Sequence, residues 1–323
     1  MIRPFIKWAG GKTRVLPDLL PHLPTADCLI EPFVGGASVF LATEYRRYVL
    51  ADINPDLINL YREVTRYPDL VIDAARELFN SKNSPQGYNE VRAAFNKQVG
   101  TVKSGGLRYG AEMACIMRAA QFLYLNRHGY NGLCRYSRKT GFNVPFGKYK
   151  SVYFPENEIR LFAEKANDTK AIFLCAPFQR SLQVVTGGDV LVYCDPPYLP
   201  ESKTADFTQY HTEPFTEDNH RQLVQALLEV NRKHGVKVVI SNSDTEATRA
   251  IYQPFKMHEI NVQRSVSTDK DNRQKAKEVI GVLPVCDCCG RYGGGCPDCG
   301  AVMGDATYNA MVAAGTFDDL EAF

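Results

Sequence analysis

Several signals are missing from this chain of 323 residues, and each absence removes a class of function. No apolar run approaches the ~18 residues that a membrane-spanning helix needs, so no span is expected. The opening residues, MIRPFIKWAGGK, hold no long apolar stretch, so no signal peptide is expected. Gly10-Gly11-Lys12 lacks the spacing of a Walker A loop, which argues against a P-loop nucleotidase. The glycines near residue 35 do not fall as Gly-x-Gly-x-x-Gly, which argues against a dinucleotide. Charge is nearly balanced at +2, so the whole-chain charge selects no partner. Tryptophan occurs once, at Trp8. Acidic residues vanish from Met113 to Pro155, although that span carries Arg118, Arg127, Arg135, Arg138, Lys139, Lys148 and Lys150 among many aromatics. Basic residues interleaved with aromatic rings suit a nucleic-acid surface, or a solvated basic face over core aromatics.

The most informative stretch is VLVYCDPPY, residues 190–198. Residues 190–194 are apolar on both alternating faces, as in a strand buried on both sides of a sheet. Pro196 and Pro197 lack the N–H that the ladder requires, so the strand ends at Asp195. A carboxylate, a proline carbonyl and the Tyr198 ring are thereby left at the carboxyl edge, where open α/β sheets bind ligands. Two acceptors on the hydrogens of an exocyclic aromatic amine would restore its lone pair, and a tyrosine can stack on a base taken out of the duplex. Asp-Pro is also common in plain turns.

Upstream, residues 28–31 read as a strand ending at Glu31, followed by a Gly35-Gly36 turn and a helix from Ser38. Residues 48–52 make a second strand ending in Asp52, placed to take ribose hydroxyls. Lys12 after the Gly10-Gly11 pair sets a cation beside backbone that a ligand can approach. Residues 57–97 are patterned as helices, with turns near 67–68 and 80–87, and residues 100–110 as a loop. Further helices are expected over 111–126, 156–166, 216–234 and 245–252, and strands over 171–175 and 236–241. A terminal hairpin is expected over 257–262 and 277–283, and a loop over 199–215 suited to covering a nucleotide.

Of ten cysteines, five crowd into 286–299. Cys286, Cys289, Cys296 and Cys299 form two Cys-x-x-Cys knuckles, the pattern of a tetrahedral structural zinc site in a reducing compartment. Cys288 is the spare thiol.

With these pieces together, residues 4–284 resemble the Dam-type DNA adenine-N6 methyltransferases, through FIKWAGGK (5–12), EPFVGGASVF (31–40), ADIN (51–54), YLNRHGYNGLCRY (124–136), FNVPFGKYK (142–150) and YCDPPY (193–198). The resemblance implies an α/β, Rossmann-like AdoMet-dependent methyltransferase sheet from 1–56 and 157–284, with an inserted helical target-recognition domain at 57–156. The cysteine-rich tail, 285–323, lies outside it. Carried over by position, Trp8, Lys12, Glu31, Gly35, Asp52, Phe178 and Asp195 would bind AdoMet. Asp195, Pro196, Pro197 and Tyr198 would hold the target amine, and Tyr130, Asn131, Leu133, Arg135 and Lys148 would read double-stranded DNA. Two departures stand out: Gly35-Gly36-Ala37 where many members have Gly-Ala-Gly, and Lys148 where some have arginine, whose planar fork lysine lacks. The implied activity is methylation of adenine N6 within GATC, by base flipping and direct transfer, in the bacterial cytoplasm or a phage-infected host. Cytosine carbon-5 chemistry needs a nucleophilic Pro-Cys, which the chain lacks. The same geometry would serve another amino group, on RNA adenine or cytosine N4, and a non-catalytic DNA-binding relative would share the fold.

Overall fold

The computed structural model describes residues 2–97, 109–199, 215–262 and 276–284. A 3-10 turn (Lys12–Arg14) and α1 (Leu16–Leu19) lead into β1 (Cys28–Glu31), α2 (Ser38–Ala42) and β2 (Arg47–Asp52). Four helices follow: α3 (Pro55–Arg66), α4 (Pro68–Ser81), α5 (Pro85–Lys97) and α6 (Tyr109–His128). Beyond the short ribbon β3 (Tyr136–Ser137) and β4 (Gly141–Phe142) come α7 (Glu156–Asp168), β5 (Ile172–Cys175), α8 (Phe178–Leu182) and β6 (Val190–Cys194). The chain continues through α9 (Glu217–His234), β7 (Lys237–Ser243), α10 (Glu246–Ile251), β8 (Lys256–Val262) and β9 (Ala276–Val282).

Local chemistry accounts for the boundaries. Asn54 accepts the Asp56 and Leu57 N–H groups, and Pro55 takes the first position of α3, where a missing N–H costs nothing. Thr216 and Asn219 form a reciprocal capping box on α9, and Gly235 closes it at φ +67°. Pro85 likewise opens α5, which narrows the expected 80–87 turn to the residues between Ser81 and Pro85. The strand expected to end at Ser241 runs on to Ser243, because β9 pairs with it through Glu278 opposite Ser243.

The sheet order is β5-β2-β1-β6-β7-β9-β8. The pairs from β5 through β7 are parallel, while β9 runs antiparallel to both β7 and β8, as the expected hairpin requires. Every residue of β6 is buried, as its unbroken apolar pattern demands. From β1 the chain moves outward to β2 and β5, then returns to lay β6 on the other side of β1. The order therefore reverses between β1 and β6, and a crevice opens beyond their carboxyl ends. Glu31 and Asp195 stand at its two lips.

One apolar core joins the sheet to the helical layer, with Leu57, Tyr61 and Val64 of α3, Phe122 and Leu123 of α6, and Phe162 of α7 all fully buried in it. Complete burial of each such side chain stabilises by about 1.5–3 kcal/mol. A second core, built on Leu223, Leu227, Val238 and Tyr252, packs α9 and α10 against the sheet. No described helix is long and apolar enough to cross a membrane. The expected 199–215 loop lies outside the described residues apart from its two ends, as do the link between β8 and β9 and the cysteine tail.

Candidate active site

At the end of β6 the Asp195 carboxylate is almost covered, and its Oδ1 takes two partners. Lys12 Nζ lies 2.8 Å away, and Ser241 Oγ donates at 2.9 Å. Ser241 is itself joined to the Tyr193 hydroxyl at 2.9 Å, so a buried relay fixes the carboxylate's rotation. Burial raises the Asp195 pKa, opposed by the Lys12 charge and by the hydrogen bonds from Lys12 and Ser241. The Lys12 ammonium also sits 4.4 Å from the centre of the Tyr198 ring, a cation–π contact that covers part of that ring. Tyr198 is tethered at its far end, where its hydroxyl donates to Glu278 Oε2 of β9 at 2.8 Å. Just after the Pro-Pro pair, Leu199 is pinned from both sides: its N–H donates to Asn242 Oδ1 and its carbonyl accepts from Ser243 Oγ.

Across the crevice, Gly35 adopts φ +46°, a backbone state that favours glycine. Its N–H donates to Asp52 Oδ2 at 3.1 Å, and its carbonyl accepts from the Tyr61 hydroxyl at 2.6 Å. A Cβ at this position would lie 2.9 Å from the Trp8 indole, so the ring occupies the space a side chain would take. Ala37 follows at φ +58°, so the turn closes with a residue other than glycine in the left-handed region. Asp52 also accepts the Asn54 N–H at 2.9 Å. Burial lifts the Asp52 pKa to about 6 despite these backbone donors.

Glu31 is 2% exposed, and its Oε1 has no hydrogen-bond partner among the described residues. Burial, reinforced by the Asp195 charge, pushes its pKa up to about 8. An orphaned buried acceptor at the lip of a crevice is what a ligand bearing an ammonium or hydroxyl group would satisfy. Phe178, at the start of α8, is buried beside Phe33 and Phe215, with ring centres 5.8 and 6.0 Å away. The set therefore fits AdoMet in kind: acids for hydroxyls and an amine, an indole and a phenyl ring for an adenine, and a glycine turn for close approach.

The expected reading segment forms a protruding turn. Tyr130 is 52% exposed, Asn131 is exposed at φ +53°, and Arg135 and Lys148 are exposed, while Leu133 is half-buried. The Tyr130 N–H donates to the Pro145 carbonyl, and the Asn131 N–H to the Tyr149 hydroxyl, so 130–135 and the strip holding Lys148 make one surface. Arg135 Nε is held by Asn143 Oδ1 at 2.7 Å, which aims the guanidinium. Lys148 stands at φ +56° and is exposed.

Sequence reasoning did not single out Ser241, Asn242, Ser243, Glu278 or Tyr61. The available signal was the polar ending of an apolar strand, Val-Val-Ile-Ser-Asn-Ser, whose last three residues are all buried. Buried polar residues at a carboxyl strand edge need partners, and here the partners are Asp195 and Leu199. Cys286, Cys289, Cys296 and Cys299 lie outside the described residues. Among the described residues no group of three or more His, Cys, Asp or Glu could hold a metal.

Comparison with known proteins bears directly on this site. The family described as D12 class N6 adenine-specific DNA methyltransferase matches residues 8–266. The chain is 46% identical over 279 residues to a DNA adenine methylase of Escherichia coli strain K12, covering 86% of this chain and 94% of that protein. It is 44% identical over 277 residues to the Retron Ec67 DNA adenine methylase of Escherichia coli, covering 86% and 90%. It is 41% identical over 282 residues to a DNA adenine methylase of Vibrio cholerae, covering 87% and 96%.

Proposed function

The chain belongs to the D12 class N6 adenine-specific DNA methyltransferases, and on that premise we propose that it moves a methyl group from AdoMet to N6 of adenine within GATC in duplex DNA. The observation that carries this reading is Asp195 at the end of β6, locked by Lys12 and Ser241, with the Gly35–Asp52 turn following the neighbouring strand β1.

Trp8, Lys12, Glu31, Gly35, Asp52 and Phe178 would hold AdoMet, whose sulfonium methyl is the electrophile once bound. Asp195 and the Pro196 carbonyl would accept the two N6 hydrogens of an adenine flipped from the stack, returning the lone pair to nitrogen. Because Lys12 and Ser241 converge on Oδ1, the Oδ2 side of the carboxylate is the one presented to the amine. As N6 bonds to the methyl carbon and the methyl–sulfur bond breaks, the positive charge developing on nitrogen would lie against this carboxylate, which stabilises the transition state more than the ground state, and one N6 proton would then leave to Asp195 and on to solvent. Tyr198, held by Glu278, would stack on the extruded ring. Most of the acceleration comes from alignment, since no covalent intermediate with the chain is required. Tyr130, Asn131, Leu133, Arg135 and Lys148 would read and grip the duplex, with Arg135 paired to a guanine edge. Cys286, Cys289, Cys296 and Cys299 would bind one structural zinc.

The test is a digest of DNA from cells expressing the chain, using one nuclease blocked by GATC methylation and one indifferent to it. Resistance to the first alone is expected. Asp195→Ala should abolish that resistance while the purified protein still binds duplex DNA, and normal methylation by this variant would refute the mechanism.

A further inference from the structure

Asn126, in the last turn of α6, is fully buried, and its side chain clasps a segment 119 positions earlier in the sequence. Its Oδ1 accepts the Lys7 backbone N–H at 2.9 Å, and its Nδ2 donates to the Lys7 carbonyl at 2.7 Å and to the Gly132 carbonyl at 3.1 Å. The amide orientation is fixed by chemistry, since one end faces an N–H and the other faces two carbonyls. Both amide protons are used, so a carboxylate in this place would set oxygen against two backbone oxygens.

The contact around this clasp is tight. A Cβ on Gly132, which stands at φ +64°, would lie 2.3 Å from the Lys7 Cβ. Lys7 Nζ rests 4.6 Å from the centre of the Tyr149 ring, whose hydroxyl accepts the Asn131 N–H at 2.9 Å. The loop 130–135 is thus mounted on the segment whose next residue, Trp8, abuts Gly35 and whose Lys12 pairs with Asp195.

We propose that Asn126 is a positioning residue for target selection: its amide fixes the offset between the loop 130–135 and the 7–12 segment, so that only a correctly read duplex delivers its adenine to Asp195. This rests on the base-reading role given to that loop under the proposed function. Asn126 touches neither substrate nor cofactor in this account. It acts through Gly132 and Lys7, and a misplacement of about 1 Å there is enough to cost a large factor in rate.

Two variants of the full chain test it. Asn126→Asp keeps the size and the acceptor for the Lys7 N–H but removes both donors. Gly132→Ala disturbs the same junction from the opposite side. The sites preferred by the unmodified chain are first mapped by sequencing methylated positions. Then kcat/KM is measured on the preferred duplex and on duplexes changed at one base pair outside the adenine. Cofactor affinity is followed by the fluorescence of Trp8, the single tryptophan. The expected result is a fall of roughly tenfold or more on the preferred duplex and a smaller fall on the altered ones, so discrimination narrows, with cofactor affinity little changed. An equal loss on every duplex, or unchanged discrimination, in whichever variant folds overturns the proposal. If the unmodified chain methylates adenine with no site preference, the reading role of the loop falls and this inference falls with it.

Discussion

Lys12 Nζ and Asp195 Oδ1 meet at 2.8 Å at the carboxyl edge of the sheet, joining residues far apart in the sequence into one buried ion pair. Removing one partner of such a pair leaves the other charge without compensation, which is far more damaging than losing an exposed bridge. Lys12 therefore serves two ends: it opposes the rise that burial imposes on the Asp195 pKa, and it closes one side of the Tyr198 ring.

Ser241 controls the rotation of that carboxylate. Ser241→Ala removes the 2.9 Å donor and leaves the Tyr193 hydroxyl without its link to Asp195. Steady-state kinetics should show kcat lower by about tenfold, the scale of one hydrogen bond to a charged group, with DNA KM little altered. Ser241→Thr, which keeps the hydroxyl, should restore most of the rate. An alanine variant with full kcat would remove Ser241 from this role.

Gly35→Ala should weaken cofactor binding. The added Cβ meets the Trp8 indole at 2.9 Å and the residue stands at φ +46°, so strain of roughly 1–2 kcal/mol must be relieved by moving the ring. Titration of Trp8 fluorescence with AdoMet should give a Kd raised by about tenfold. An unchanged Kd would mean that the indole is not part of the cofactor cradle.

Glu31 predicts a pH dependence of stability. Its pKa is raised from about 4.5 when unfolded to about 8 when folded, so the folded state holds the extra proton between those values. The stabilisation is complete below the unfolded pKa and is lost as pH rises toward 8. Glu31→Gln should therefore match the parent near pH 4.5 and exceed it increasingly up to pH 8, by a few kcal/mol. Urea unfolding at a series of pH values measures this, and parallel profiles for the two proteins would contradict it. Asp52, raised to about 6, adds a loss of the same sign at lower pH.

The cysteine knuckles predict one tightly held zinc per chain, measurable by elemental mass spectrometry of the purified protein. Replacing Cys286 and Cys296 together with serine should abolish it, and a metal-free parent protein would dispose of the site.

Much of this site was readable because its signals are local. The two prolines after Asp195 end β6 by a covalent property of the residue, and Pro55 with Asn54 opens α3 in the same way. Asp52 and Gly35 were legible from their spacing, and the 3.1 Å bond between them follows from the turn that this spacing builds. Ser241 and Glu278 were not legible, because their partners lie 46 and 80 positions away: the parallel pairing of β7 with β6 brings Ser241 to Asp195, and the antiparallel β9 brings Glu278 to Tyr198. Asn126 was hidden for the same reason: α6 buries several polar residues, Arg118, Gln121 and His128 among them, and the clasp that sets Asn126 apart exists only once Lys7, 119 positions earlier, is folded against it.

The placement of β9 also orders events on the ribosome. The Tyr198 hydroxyl finds its anchor on Glu278, which emerges only after some eighty further residues have been translated. Until Glu278 has been translated, the Tyr198 hydroxyl lacks the acceptor that holds its ring in place.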